Sequence, residues 1–379
     1  MEPLALLEKL VSINSVFGSE REMGEFLEAE LGRLGFAVKR IEIAPGRFNV
    51  VGERGSRGKP ILLYGHMDTV PPYGEWGSGG PFALREEGDR LSGLGVFDMK
   101  SGLAALLCAC DEKTDRRLRV AFCVDEENDS EGAHAVAASG FFGGVEAALS
   151  TEIAAGIGEC RGPREITLGR RGRCVIGITV PGKSAHGATA ARGVNAISEA
   201  ARLALELERM NGMMGKHPFL PPPTLFVRKI AGESTSLSVP EEAMLELDVH
   251  LVVPQTPESV LDDVRKFIGA LYAEGRFSEI GGRRAEAKLK ERKVPYLAPY
   301  ATSEETPCVQ LLSGIVKRRL GDIHYSYGAS VADDNVLAAH APTFSIGPLG
   351  GNEHTCNEWA SKESYLQLVK IVREFVRSL

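Results

Sequence analysis

No run in this 379-residue chain stays apolar for the about 20 residues that a membrane span needs. The opening MEPLALLEKLVSI lacks the apolar core and small-residue cleavage site of a signal peptide. It mixes both signs of charge and spaces Leu4, Leu7, Leu10 and Val11 like an amphipathic helix. A cytoplasmic protein without a membrane partner is expected. Blocks of lysine and arginine are also missing, and the formal charge of −7 argues against a surface built to neutralise phosphates, so nucleic acid is excluded as a partner. The seven cysteines, at 108, 110, 123, 160, 174, 308 and 356, never fall at zinc-finger or redox spacing. Most lie in helix or strand patterns and read as buried thiols.

What is present is an ordinary globular composition, 43% hydrophobic and 25% charged, at a length beyond which one core seldom grows. Two domains are expected. After a second amphipathic pattern, SEREMGEFLEAELGRLGF, short apolar strands alternate with helices: FNVVGE, ILLYGHMD, the helix MKSGLAALLCACDE, RLRVAFCVDEE, a helix around GAHAVAASG, and AALSTE. That rhythm predicts an α/β fold with a mostly parallel sheet and helices on both faces, and such sheets bind ligands at the carboxyl ends of their strands. From about Leu168 the order becomes β-α-β-β-α-β, that of a ferredoxin-like unit: RCVIGITV, the helix NAISEAARLALELERM, LFVRKI, AMLELDVHLV, the helix TPESVLDDVRKFIGALYAEG and AEAKLKE. This reads as an inserted domain, 168–290, splitting a first domain made of 1–167 and 291–379.

Histidines and carboxylates at predicted strand ends are His66, Asp68, Asp98, Glu126, Glu127, Glu152 and His354. In ILLYGHMD the apolar run feeds into His66, and residues two apart in a strand share a side, so Asp68 can reach a ring nitrogen of His66. A carboxylate that fixes a histidine tautomer is the usual outer partner of a metal ligand. Asp98, in GLGVFDMKSG, ends a strand and opens a helix, which a simple N-cap would also explain. Glu126 and Glu127 are adjacent acids at the end of an apolar strand, where repulsion calls for a cation or a proton. With metal nearby, one can bind and the other serve as general base. Glu152, in LSTEIAAG, and His354, in GPLGGNEHTCNEW, gain meaning only from their shared position. The nitrogen and oxygen donors suit zinc or a similar divalent ion.

The segments GHMDTVPP, GVFDMKSGLAA, VDEENDSEGA, GKSAHGATAARGVNAI and GNEHTCNEW resemble, in order, the motifs of the M20 family of dinuclear zinc aminoacylases and exopeptidases. That family includes acetylornithine deacetylase, succinyl-diaminopimelate desuccinylase and carboxypeptidase G-like enzymes. The resemblance implies two Zn²⁺ per subunit, replaceable by Co²⁺ or Mn²⁺, with Asp98 bridging them. His66 and Glu152 complete one site; Glu127 and His354 complete the other. It makes Glu126 the general base, Asp68 the residue that orients His66, and the Asp98–Met99 peptide cis. It also implies that the inserted domain pairs two subunits, so that His186, by itself a loop histidine, reaches the partner's site to stabilise the oxyanion.

Departures from the family pattern concern the substrate. Leu237 stands where an asparagine is common and His250 where an arginine holds a substrate carboxylate, so a titratable ring replaces a permanent charge. On this reading, affinity falls as pH rises through the His250 pKa. Leu94 and Cys356 replace a common arginine and proline. Asp333 aligns with a family aspartate, with Asp334 as the alternative, and Arg171 is a candidate substrate contact beside the plainer reading of a solvated basic turn. The expected activity is hydrolysis of an amide in a small N-acyl amino acid, with an exopeptidase or dipeptidase as the alternative. Outside that class stand a metal-free binding protein of the same fold and a dinuclear phosphoesterase, for which only LGRRGR offers converging cations.

Overall fold

A computed structural model of the chain describes residues 2–77, 79–153, 160–234 and 236–379. Its contacts divide into two compact units, Met1–Arg170 with Ala301–Leu379, and Arg171–Tyr300.

The first unit is built on eight strands that matter for the site: β1 (Ala37–Ala44), β2 (Arg47–Arg54), β3 (Arg57–His66), β4 (Arg116–Cys123), β5 (Ala147–Ser150), β6 (Glu165–Arg170), β7 (His324–Gly328) and β8 (Thr343–Ser345). They lie in the order β1-β2-β4-β3-β5-β8-β6, with β7 pairing β6. The neighbours β4-β3-β5-β8 run parallel, whereas β1-β2, β2-β4 and β8-β6 are antiparallel. The expected mixed, mostly parallel sheet is therefore present. A parallel strand is covered on both faces and reads as a continuous apolar run, and β3 follows this rule, its last seven residues all being buried.

Helices supply the cover. In Ser101–Cys110, SGLAALLCAC, all ten residues are buried, as expected of a helix that is apolar on every side. It packs beside the closing helix Lys362–Ser378, which buries Tyr365, Leu368, Val372 and Phe375. The strand β1 was not anticipated, because AVKRIEIA alternates partly exposed residues at the sheet edge and carries no apolar run.

In the second unit, strands Thr224–Ala231, Glu242–Leu251, Gly172–Pro181 and Glu286–Leu289 pair antiparallel in that order. Helices Ala196–Glu208 and Pro257–Ala273 share its core with Cys174, Ile176, Ile178, Leu245, Leu247 and Val249. The alternation in ELDVHL sends leucine and valine to that core and leaves Glu246, Asp248 and His250 on the other face. No described helix is long and apolar enough to cross a membrane.

Candidate metal centre

Three parallel strands end side by side. His66 closes β3 opposite Cys123 of β4, while Tyr64 pairs Ser150 of β5. The chain leaving each carboxyl end carries chemistry: Asp68 after β3, Glu126 and Glu127 after β4, and Glu152 after β5. Asp68 ties two of these ends together, its carboxylate accepting the backbone N–H of Glu126 (3.3 Å) and Glu127 (3.1 Å). The turn after β4 is closed by Asp125. Its φ is 75°, and its side chain accepts from Glu131 N and the Arg47 guanidinium.

Asp98 reaches the same place by a different route. No strand ends there. Residues Val96–Lys100 form one wide helical turn, closed by Lys100 N donating to Gly95 O (2.7 Å), with Asp98 and Met99 out of helical geometry and their peptide cis, as anticipated. His354 comes from the loop joining the short antiparallel strands Gly350–Gly351 and Trp359–Ser361, at a φ of 63°.

These elements bring together two trios that share Asp98. His66 Nε2 lies 3.1 Å from Asp98 Oδ1 and 3.4 Å from Glu152 Oε2. His354 Nε2 lies 3.0 Å from Glu127 Oε2 and 3.6 Å from Asp98 Oδ2. Within each trio the donor atoms are all within 4.8 Å of one another. The two oxygens of Asp98 thus face different histidines, the disposition a bridging carboxylate needs.

Electrostatics support a cation at this point. Burial, joined by the charges of Glu152, Asp333 and Glu127, pushes the Glu126 carboxyl well up, against the pull of His66. Burial and Asp98 carry Glu127 up to about 7 and raise Glu152 as well, although His354 and His66 oppose this. Hydrogen bonds to Asp98 and Glu127 hold His354 up at about 10. For His66, burial alone would lower the pKa, but bonds to Asp68, Asp98 and Glu152 outweigh it. Against burial, the two histidines keep Asp98 well below the ordinary range. Four crowded carboxylates therefore hold on to the protons of two imidazoles, a compensation that divalent cations provide more fully. Imidazole and carboxylate donors at these distances suit zinc or a related ion.

Other expected residues stand differently. The nearest partner of His66 Nδ1 is the backbone carbonyl of Asp68 at 3.0 Å, with that residue's carboxylate at 3.6 Å. Asp68 orients the ring mainly through its main chain and spends its carboxylate on the glutamate turn. Asp333, expected to touch substrate, is 1% exposed and takes the Tyr64 hydroxyl as a partner, so it lies in the protein interior; burial raises it to about 7. Its alternative Asp334 is equally buried and accepts Arg170 Nε at 3.1 Å.

In the second unit, Arg171 is no solvated turn. It is buried and donates to Pro222 O (2.8 Å), and burial lowers its pKa. Burial and the nearby Arg171 charge drive His250 down to about 4, so without a bound anion the ring is neutral at pH 7. His186 is exposed, its Nδ1 accepting from Ala188 N, and Gly187 N donates to Leu237 O beside it.

Two residues escaped notice in the sequence. Arg170, fully buried in β6, donates Nη2 to the carbonyl of Ile153, next to Glu152 (2.9 Å). Glu358, 2% exposed, accepts backbone N–H groups from Gly95, Phe97 and Asp98. Burial lifts its carboxyl to about 7 despite these donors. In GNEHTCNEW it reads as one more acid in a polar loop, and the only hint was the apolar WAS that follows it.

The sequence profile described as Peptidase family M20/M25/M40 matches residues 62–378, and the chain belongs to this family. It is therefore a metal-dependent hydrolase of amide bonds. Carboxypeptidase G2 of Pseudomonas sp. (strain RS-16) is 35% identical over 212 residues, 52% of this chain and 49% of that protein. Succinyl-diaminopimelate desuccinylase of Paracoccus denitrificans (strain Pd 1222) is 27% identical across 99% of this chain and 97% of its own length. Among solved structures, a tripeptidase from Staphylococcus aureus subsp. aureus Mu50 superposes with a TM-score of 0.76 at 21% identity, covering 99% of this chain and 98% of that one. At that identity the likeness speaks for the fold.

Proposed function

We propose that the chain deacylates an N-acyl amino acid in the cytoplasm with two divalent ions, Zn²⁺ for choice, one held by His66, Asp98 and Glu152 and the other by Asp98, Glu127 and His354. The observation that carries this reading is the pair of trios sharing one carboxylate. Ions so held supply Lewis-acid polarisation of the scissile carbonyl and acidify water at neutral pH. Glu126, at the carboxyl end of β4 and outside both trios, is the base: it takes a proton as the water oxygen bonds to the carbonyl carbon. It returns that proton to the nitrogen as the C–N bond breaks, leaving a carboxylate and a free amine. Asp68 holds Glu126 and Glu127 in register through their N–H groups. The seven free cysteines suit a reducing compartment.

A metallo-exopeptidase is the second reading, favoured by the 35% identity to carboxypeptidase G2. Both readings include a homodimer formed through the second unit. Its outer strand Thr224–Ala231 pairs on one side only among the described strands and exposes Phe226 and Ile230, 46% each, an edge apt for a second copy. His186 would then serve the partner's site.

Amine release from N-acetyl, N-succinyl and dipeptide substrates, by stripped protein with and without Zn²⁺ or Co²⁺, tests this. Metal-restored cleavage that disappears in Glu126→Gln with both ions still bound supports it and names the substrate class. Retention of more than a tenth of the rate in Glu126→Gln would remove Glu126 from the mechanism, since a general base contributes about 10²–10⁴-fold.

A further inference from the structure

The carboxylate shared by both trios sits on a wide turn, neither strand nor regular helix, that runs straight into the buried helix Ser101–Cys110. Asp98 and Met99 have φ, ψ of −114°, 98° and −128°, 37°, and Gly95 before them is at φ 75°. Three of the backbone N–H groups at this turn find their acceptor in one side chain, while Val96 N between them donates to Gly93 O (3.1 Å). Glu358 Oε2 accepts Gly95 N (2.8 Å), while Oε1 accepts both Phe97 N (2.9 Å) and Asp98 N (3.0 Å). The carboxylate is buried, so water does not substitute for it. Glu358 also stands four residues after His354, at the end of the same hairpin loop, just before the strand Trp359–Ser361.

We propose that Glu358 is a positioning residue that fixes the bridging carboxylate of Asp98 and, through the same loop, sets its distance to His354. The claim rests on the metal-centre reading above. An alternative partner for the turn is Lys100, but its ammonium donates to Ile13 O and supplies no acceptor. With Glu358 gone, three buried N–H groups lose their acceptor, and Asp98 loses the constraint on its main chain that keeps Oδ1 toward His66 and Oδ2 toward His354. Outer partners of metal ligands of this kind are worth about 10–100-fold in metal affinity when removed.

Two variants grade the effect. In Glu358→Gln the amide oxygen can keep Phe97 and Asp98 while the NH₂ turns toward Gly95 N, so one of three contacts is lost; in Glu358→Ala all are lost. Calorimetric titration of stripped, full-length protein with Zn²⁺ is expected to show weakening of about tenfold for the glutamine variant and about 100-fold for the alanine variant. The visible absorption of Co²⁺ should change in band shape, and kcat should fall while KM stays within about twofold. In metal-free protein, the amides of Gly95, Phe97 and Asp98 should exchange with deuterium faster in both variants. Folded Glu358→Gln with wild-type affinity, Co²⁺ spectrum and exchange at those amides would overturn the proposal, whether or not the alanine variant folds. Failure of the wild-type protein to bind metal would instead overturn the metal-centre reading, so the two failures are distinguishable.

Discussion

His66 shows what a single residue discloses in sequence and what it conceals. An apolar run ending in His-x-Asp placed it at a strand mouth, because the two-residue period of a strand fixes which side chains share a face. The sequence could not tell that the main chain of Asp68, rather than its carboxylate, is the closer partner of the ring. His250 was harder to read, since its identity suggests a titratable charge and only the burial and the neighbouring Arg171 make it neutral. The consequence for binding is a KM that stays flat between pH 6 and 9; a KM rising through pH 6–7 would support the imidazolium anchor. The consequence for stability has a definite sign. The folded-state pKa of about 4 lies below the ordinary 6.5, so the unfolded chain takes up the proton first, and stability is lost as pH falls from about 6.5 to about 4. In His250→Gln that part of the acid loss should vanish, as followed by thermal melts across this range.

At the scale of elements, the alternation of short apolar runs with helical patterns was enough to place β2 through β5, the α-helices of both units except the short Asp334–Ala338, and the carboxyl-end location of the site. Asp98 was the exception. GVFD looks like a strand end because Val and Phe are strand formers, yet the wide turn Val96–Lys100 depends on Glu358, about 260 residues away in sequence, and no local signal announces a partner at that distance. Gly102, in the buried helix that follows, is a sharper case. A Cβ there would lie 2.6 Å from the Thr151 carbonyl oxygen, immediately before Glu152. Since backbone cannot yield cheaply, Gly102→Ala should cost about 1–3 kcal/mol in denaturant unfolding, as overpacking does, and should displace the Glu152 loop enough to lower metal affinity. An unchanged midpoint would mean the helix slides to make room.

At the scale of the whole molecule, the proposal that His186 serves a partner's site has a direct check. Glu126→Gln and His186→Ala homodimers should each be nearly inactive, but after random subunit exchange about half the dimers are mixed and carry one intact site of two, giving about a quarter of wild-type activity. Complete exchange without recovery, or full activity in a monomer by light scattering, would detach His186 from catalysis. The sequence indicated the inserted unit through its change of rhythm near Leu168, but the exposed edge strand Thr224–Ala231 emerged only with the strand order. One feature of the site also bears on how the protein comes into being. His66, Asp98, Glu127 and Glu152 all precede the second unit, whereas His354 follows it by a long stretch. About 200 residues separate Glu152 from His354, which is about 10–40 s of ribosomal elongation at about 5–20 residues per second. Because the Asp98 turn leans on Glu358, which is made later still, neither proposed ion site is finished when its first ligands leave the ribosome: both would mature together, once the loop carrying His354 and Glu358 has folded onto the earlier strands.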